Sequence, residues 1–182
     1  ALVRTITRPG THALDAFAHT GSFACVMARA GAVVTAIEKD PKAVARGKQG
    51  ELINELPHAI EWITEDCFAA LPRLVETSAR FDLIVIDPPA LAKSKSEVAG
   101  ARALFVRLAK HAFDLLAPGG HVLFSSCAFH LSLPLLEEAV RIGAGEAGRL
   151  VRVRQVTFQP PDHPWVLQIP ETLYLKSILV EA

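Results

Sequence analysis

The 182 residues predict an α/β fold, a mostly parallel sheet with helices on both faces. Three observations carry that expectation. Short apolar strands alternate with capped or amphipathic helices five times over, the pattern of a parallel sheet joined by right-handed crossovers. Phe81 to Ala90 reads Phe-Asp-Leu-Ile-Val-Ile-Asp-Pro-Pro-Ala, an apolar run that stops at a carboxylate and two prolines. Such a run suits a strand covered on both faces, and proline, with no N–H and a fixed φ, cannot continue it. Acidic residues Asp15, Glu38 and Asp66 close the first three predicted strands, on the edge where open α/β sheets bind ligands.

In order, residues 1 to 12 read as an irregular lead with a Pro9-Gly10 turn. Ala13 to Phe17 is the first strand, Ala18 to Ser22 the turn, and Phe23 to Ala30 a helix stopped by Gly31. Val33 to Ile37 is the second strand. Asp40-Pro41 then opens a helix running towards Asn54, with Asp as N-cap and Pro at the first helical position. Gly47 and Gly50 weaken that helix. Ile60 to Thr64 is the third strand, and Phe68 to Thr77 a helix with Pro72 close to its start. Leu83 to Ile86 forms the fourth strand. Ser96 or Glu97 to Leu116 is a long amphipathic helix stopped by Pro118-Gly119-Gly120, and His121 to Ser126 a fifth strand. Leu133 to Ala147 is a helix closed by Gly148. Val151 to Phe158 and Leu173 to Val180 are two last strands flanking a Pro-rich loop, Gln159 to Pro170. With no helix between them they should pair antiparallel, and residues 1–182 read as a single domain with no repeat or linker.

Composition narrows the classes. Hydrophobic residues make up 51%, which excludes disorder. Net charge is zero and the pI near 7.2, so any RNA contact must come from a local patch or another domain. Cys25, Cys67 and Cys127 lie far apart, with neither a disulfide framework nor a metal-ligand spacing. Free thiols fit a reducing, cytoplasmic setting. No signal peptide or membrane-length apolar run is present.

The first turn lacks the G-x-G-x-x-G of a dinucleotide site; Gly21 is followed by Ser22, Phe23 and Ala24. A single glycine is a poor pyrophosphate cradle, so the ligand is better drawn as a nucleoside without phosphates. Glu38 sits where a carboxylate accepts from both ribose hydroxyls, and Asp66 where one accepts from an adenine amino group. Asp15 would order the turn or hold an ammonium. Adenosine carrying an amino acid describes S-adenosylmethionine.

The fifth strand ends Phe124-Ser125-Ser126-Cys127-Ala128. A free cysteine is most often a buried structural residue, but this one should share the crevice of Asp87. C5 of cytosine is a poor nucleophile towards a methyl sulfonium. A thiolate adding to C6 makes an enamine that pushes density onto C5, and β-elimination later expels the thiol. Asp87 is placed to protonate N3, and the Pro88 carbonyl to accept from the cytosine amino group. Methylation of an exocyclic amine, the competing chemistry, usually pairs an Asp/Asn-Pro-Pro turn with an aromatic residue that stacks on the base. This chain has Ala90 there, and amine methylation needs no cysteine.

The residues resemble the ribosomal RNA large-subunit methyltransferase I family, class I S-adenosylmethionine-dependent enzymes acting at cytosine C5. The resemblance runs from about Leu14 to Lys176. It is carried by Leu14-Asp15-Ala16-Phe17-Ala18-His19-Thr20-Gly21-Ser22-Phe23, by Phe81 to Pro89 with Lys93-Ser94-Lys95 beyond, and by Leu115 to Gly120. It continues in Ser126-Cys127, Asp162-His163-Pro164 and Pro170-Glu171-Thr172-Leu173-Tyr174-Leu175-Lys176. It implies a Rossmann-like class I methyltransferase sheet of seven strands, order 3-2-1-4-5-7-6, with the last strand antiparallel. It implies Cys127 as nucleophile and Asp87 as its partner. Cofactor contacts are expected from Asp15, Phe17, His19, Thr20, Gly21, Ser22, Phe23, Glu38, Lys39, Asp66, Cys67, Phe68, Asp87 and Pro88. Substrate contacts are expected from Pro88, Pro89, Lys93, Lys95 and His163. RNA is the implied partner, with no metal and no membrane; a dimer is left open. The chain departs from the family at Ser22, Ala128 and Leu91, where Gly, Ser and Phe are usual, and the family's N-terminal PUA-type RNA-binding domain is not expected within these residues.

Other readings stay in view. Methyl transfer to another RNA atom or to a small molecule would use the same cofactor edge, and a non-catalytic module binding nucleoside or RNA would not need Cys127. Lys93, Lys95, Arg102, Arg107 and Lys110 outnumber Glu97 over one stretch and offer phosphate contacts, or simply a solvated face. Trp165 offers a ring to the crevice, Trp62 packs a strand, and Cys25 reads as core.

Overall fold

The computed structural model describes residues 2–56 and 58–182. Five parallel strands run in sequence: β1 (His12–Ala16), β2 (Val33–Ile37), β3 (Ile60–Ile63), β4 (Phe81–Ile86) and β5 (Leu116–Ser126). Then come β6 (Arg152–Phe158) and β7 (Lys176–Glu181). All seven join one sheet in the order β3-β2-β1-β4-β5-β7-β6, the order expected. β7 runs antiparallel to both β5 and β6. The helices are α1 (Leu2–Ile6), α2 (Ser22–Arg29), α3 (Pro41–Ile53), α4 (Cys67–Glu76), α5 (Val98–Leu115) and α6 (Leu133–Glu146).

Apolar residues face both ways from the sheet. In β4, Ile84 and Ile86 join the larger core under α4, α5 and α6, whereas Leu83 and Val85 join the smaller one with α1 and α2. Burial on both faces is why this strand reads as an unbroken apolar run. α3 starts as its sequence dictates: Asp40 caps it by accepting from the Lys42 N–H at 2.9 Å, and Pro41 follows at the first helical position.

Three local expectations need correction. The lead is not wholly irregular, because α1 occupies it and buries Val3 in the smaller core. A five-residue helix is too short to show a period, and its stability comes from packing. Secondly, α5 ends at Leu115 and β5 begins at once, with Leu116 opposite Phe81. Pro118-Gly119-Gly120 does not separate helix from strand; it lies in a bulge, after which His121 pairs with Leu83. Gly119 takes φ +74°, its N–H donates to the Ala182 carbonyl, and a Cβ on Gly120 would meet the Asp82 carbonyl at 2.9 Å. Thirdly, Pro72 sits inside α4, not near its start. β6 is an exposed edge strand whose Arg152 and Arg154 discourage further pairing. No helix among the described residues is long and apolar enough to cross a membrane.

α5 and α6 approach closely at Gly143. A Cβ there would lie 2.6 Å from Ala109 Cβ and 2.7 Å from the Val106 carbonyl oxygen. Gly143→Ala is expected to cost about 1–3 kcal/mol by overpacking. Gly145→Ala, in the same helix but facing open space, should be neutral or stabilising by up to about 1 kcal/mol. Urea denaturation of the two variants checks the contrast.

Candidate active site

β1 takes β2 on one side and β4 on the other, which makes its C-terminal end the topological switch point where such sheets bind ligands. A cleft of ≈ 580 Å³ opens there, within the usual range for small-molecule sites. Phe17, His19, Glu38, Lys39, Asp66, Cys67 and Phe68 line it from the ends of β1, β2 and β3. Asp87, Pro88, Pro89, Leu91, Cys127 and Leu175 line it from β4, β5 and the approach to β7.

The turn after β1 is wound tightly. Phe17, His19 and Gly21 take φ of 64°, 50° and 77°, a region costly for a bulky residue such as Phe. Internal hydrogen bonds hold it. The Phe17 N–H donates to Cys67 Sγ (3.1 Å), the His19 N–H to Glu38 Oε2 (2.9 Å) and the Gly21 N–H to the Ala18 carbonyl (2.7 Å). The Ala24 N–H, in the first turn of α2, donates to Asp15 Oδ2 at 2.9 Å. Trp62 lies under this turn, and its indole N–H donates to Glu51. A Cβ on Gly21 would meet the Trp62 ring at 2.8 Å, and one on Gly47 would come closer still. Gly47, which reads as a weakness of α3, is the space the indole occupies.

The acids differ in circumstance. Glu38 Oε1 accepts from the Asp40 N–H at 2.8 Å, so its carboxylate joins the β1–α2 turn to the start of α3. Each oxygen still has lone-pair capacity for another donor. Asp66 caps α4 by accepting from the Phe68 N–H, and its other oxygen lies 3.6 Å from Lys39 Nζ. Asp15 is buried, and its Oδ1 has no partner. Burial, with help from the charges of Asp87 and Glu38, raises its pKa to about 7. Cys67 begins α4 under the cleft, and burial pushes its thiol up to about 12; it is a neutral packing residue. Phe17 and Phe68 meet edge to face at 5.6 Å and make an apolar wall.

On the other wall, burial raises the Asp87 pKa. Burial also raises that of the half-exposed Cys127 thiol; the Asp87 charge adds to the rise, and the Lys176 ammonium opposes it. An acid readier than usual to hold a proton thus shares a cleft with a thiol that ionises only with help.

Several expected site residues lie elsewhere. Asp15, Thr20, Gly21, Ser22 and Phe23 shape the first turn and do not line the cleft; Asp15 orders the turn, one of the two roles open to it. Lys93 and Lys95 are exposed and outside the cleft, in a segment closed by a capping box between Ser94 and Glu97. Arg102 is held by Glu138 through two bonds of 2.9 and 2.8 Å, and Lys110 by Asp114 at 2.6 Å. The basic stretch therefore offers less free charge than its sequence suggests. His163 and Trp165 sit on the exposed loop before β7, where Gln159 holds the His163 carbonyl. Cys25 is half-buried against the smaller core. The sequence reading missed Leu91 and Leu175 as lining, and it named Lys176 as the end of a motif without giving it a role. A lysine opening a strand carries no local sign that it is buried.

The strand order and the cleft at the β1/β4 switch point define a class I methyltransferase fold. Solved structures share it: SMU.776 complexed with SAH superposes with a TM-score of 0.86 at 20% identity, over 99% of this chain and 47% of that one. TrmN from Thermus thermophilus gives 0.71 at 22%, over 99% and 47%. Residues 4–122 match the family model described as conserved hypothetical protein 95, and the chain belongs to that family. It is 33% identical over 175 residues to a protein of Aeromonas hydrophila named ribosomal RNA large subunit methyltransferase I, covering 95% of this chain and 44% of the relative. To the ribosomal RNA large subunit methyltransferase of Deinococcus radiodurans it is 32% identical over 174 residues, 94% and 42% of the two chains. The resemblance read from Leu14 to Lys176 is borne out, and the chain spans less than half the length of these curated relatives.

The Asp15 carboxyl has a pH signature. With a folded pKa of about 7 against an ordinary 3.8, the folded state holds a proton that the unfolded state has released over that interval. Stability contributed by the protonated acid is present below 3.8 and is lost as pH rises through about 7. Urea midpoints should fall across this window, and Asp15→Asn should flatten the fall; an unchanged slope in the variant would remove Asp15 as its source.

Proposed function

We propose that the chain is the catalytic domain of an S-adenosylmethionine-dependent RNA methyltransferase that forms 5-methylcytosine in large-subunit ribosomal RNA. The observation that carries this reading is the meeting of Cys127 and Asp87 on one wall of a cleft whose other wall holds Glu38 and Asp66. The names of the curated relatives support the RNA substrate. The cleft's donor set suits the cofactor. Glu38 would accept from the ribose hydroxyls and Asp66 from the adenine amino group, Phe17 and Phe68 would flank apolar surface, and Pro88 would close the cleft. When bound, S-adenosylmethionine supplies an electrophilic methyl group on a sulfonium.

The remaining steps belong to the chain. Cys127 adds as thiolate to C6 of the cytosine, making C5 nucleophilic. Asp87, with its pKa raised by burial, carries a proton to N3 as the thiolate adds. The Pro88 carbonyl accepts from the exocyclic amino group. After C5 is alkylated its proton passes to a water, the C5–H electrons form the C5=C6 bond and expel the thiolate, and the N3 proton returns to Asp87. The turn beyond Pro89 offers Ala90 and the aliphatic Leu91, with no ring to stack on a base; this favours carbon over an exocyclic amine as acceptor. A cytoplasmic location accords with that reading.

Cys127→Ala is expected to abolish methyl transfer to cytosine-containing ribosomal RNA while leaving cofactor affinity, measured by calorimetry, within about twofold. Transfer at the unsubstituted rate would exclude the covalent route. Glu38→Ala should weaken cofactor binding by about tenfold or more, partly through lost ribose contacts and partly because the His19 N–H loses its acceptor. Unchanged affinity in that variant would remove Glu38 from the cofactor site.

A further inference from the structure

We propose that Lys176 is the positioning residue for Cys127: its buried ammonium fixes the turn that carries the thiol and supplies the positive charge that favours the thiolate. This rests on the proposed role of Cys127 for its meaning, though not for its test.

Lys176 opens β7 and stands opposite Ser126 of β5 and Phe158 of β6. It is 6% exposed, a rare state for lysine, whose charge is costly to bury. Its ammonium donates to the carbonyl of Ala128 and, at 3.0 Å, to that of Tyr174. Among the described residues no carboxylate lies within ion-pair distance of it. The backbone of Lys176 thus pairs with the residue before Cys127, while its side chain holds the residue after it. Cys127 is bracketed on both sides by one lysine. The neighbouring Ser125 and Ser177 hydroxyls, 2.8 Å apart, join the same two strands one step further from the thiol.

The arrangement suits a nucleophile better than it suits stability alone. Two carbonyls accept from two of the ammonium's three N–H groups without neutralising its charge, so the charge remains available to an anion nearby. Burial and then the Asp87 charge raise the Cys127 pKa, while a backbone N–H bond and the Lys176 ammonium lower it. The thiolate acts in return on Lys176, whose own pKa burial has brought down to about 8. Near neutral pH the ammonium is therefore mostly charged. An apolar side chain of similar length would fill the space and keep the strands packed, but would leave the thiolate facing Asp87 without a counter-charge.

Alkylation of Cys127 by iodoacetamide, followed by mass spectrometry on its own peptide as a function of pH, tests this without cofactor or RNA. Removing a charge lowers a thiolate population near neutral pH about tenfold for each pKa unit that the charge supplied. The more basic thiolate is intrinsically more reactive and regains about half of that on a logarithmic scale. Lys176→Met should thus be alkylated about threefold more slowly at neutral pH and at least as fast at alkaline pH, with the profile displaced upward; Lys176→Arg should restore much of the unsubstituted profile. An unchanged profile, or slowing by the same factor at every pH, overturns the proposal, the latter because it reports access and not ionisation. Should Lys176→Met fail to fold, a polar substitution takes its place. Lys176→Gln, whose uncharged amide still offers a donor towards the Ala128 carbonyl, is then profiled in the same way, and an unchanged profile overturns the proposal. A displaced profile with no methyl transfer to cytosine would sink the proposed function and leave the Lys176–Cys127 coupling standing.

Discussion

Because β1 pairs with β2 on one edge and β4 on the other, the crossovers to either side leave the sheet in opposite directions, and the ends of the central strands stay uncovered. Every chemically committed residue of the cleft depends on that divergence. Phe17 follows β1, Glu38 follows β2, Asp87 follows β4 and Cys127 follows β5. Parallel pairing brings these ends to one level, and burial on both faces keeps the strands in register. The polar positions are therefore those at which each chain leaves the sheet, where carboxylates and a thiol escape the cost of full burial.

Electrostatics divide the cleft into two halves. On the β1–β2 side the carboxylates are already engaged by backbone N–H groups: Glu38 by His19 and Asp40, Asp66 by Phe68. These bonds fix the acids in place with acceptor capacity to spare, a preorganised arrangement for a ligand rich in donors. On the β4–β5 side, Asp87 lies at the end of a buried strand and is pushed towards its neutral form, and the lone cation acting on the thiol is Lys176. The first half holds its acids engaged, and the second raises the pKa of both its acid and its thiol.

Much of this was legible in the residues. The strand ends were marked by acids or by Asp87-Pro88-Pro89, and the strand–helix alternation of a parallel sheet placed them at one edge. The antiparallel turn of the last strands followed from the missing helix between them. Other features depend on distant partners. Arg102 reads as a free cation until Glu138, on another helix, is seen holding it. Lys176 reads as one polar residue within a strand from Leu173 to Val180, because the carbonyl it reaches belongs to Ala128. His163 and Trp165 sit beside motif-like neighbours yet lie on an exposed loop. Gly47 looks like a helix weakness in sequence and proves, like Gly143, to be a site of close approach.

The indole of Trp62 has a further consequence. It fills the space between Gly21, in the turn that shapes the cofactor edge, and Gly47, in the middle of α3. Neither glycine can gain a methyl group while the ring stays, and Gly21 is held besides by a backbone conformation that other residues resist. The three positions thus form a single unit of variation: a lineage that shrinks the ring at position 62 gains freedom at 47, while one that keeps it must keep both glycines. The turn's shape is inherited through a residue that never touches the cleft.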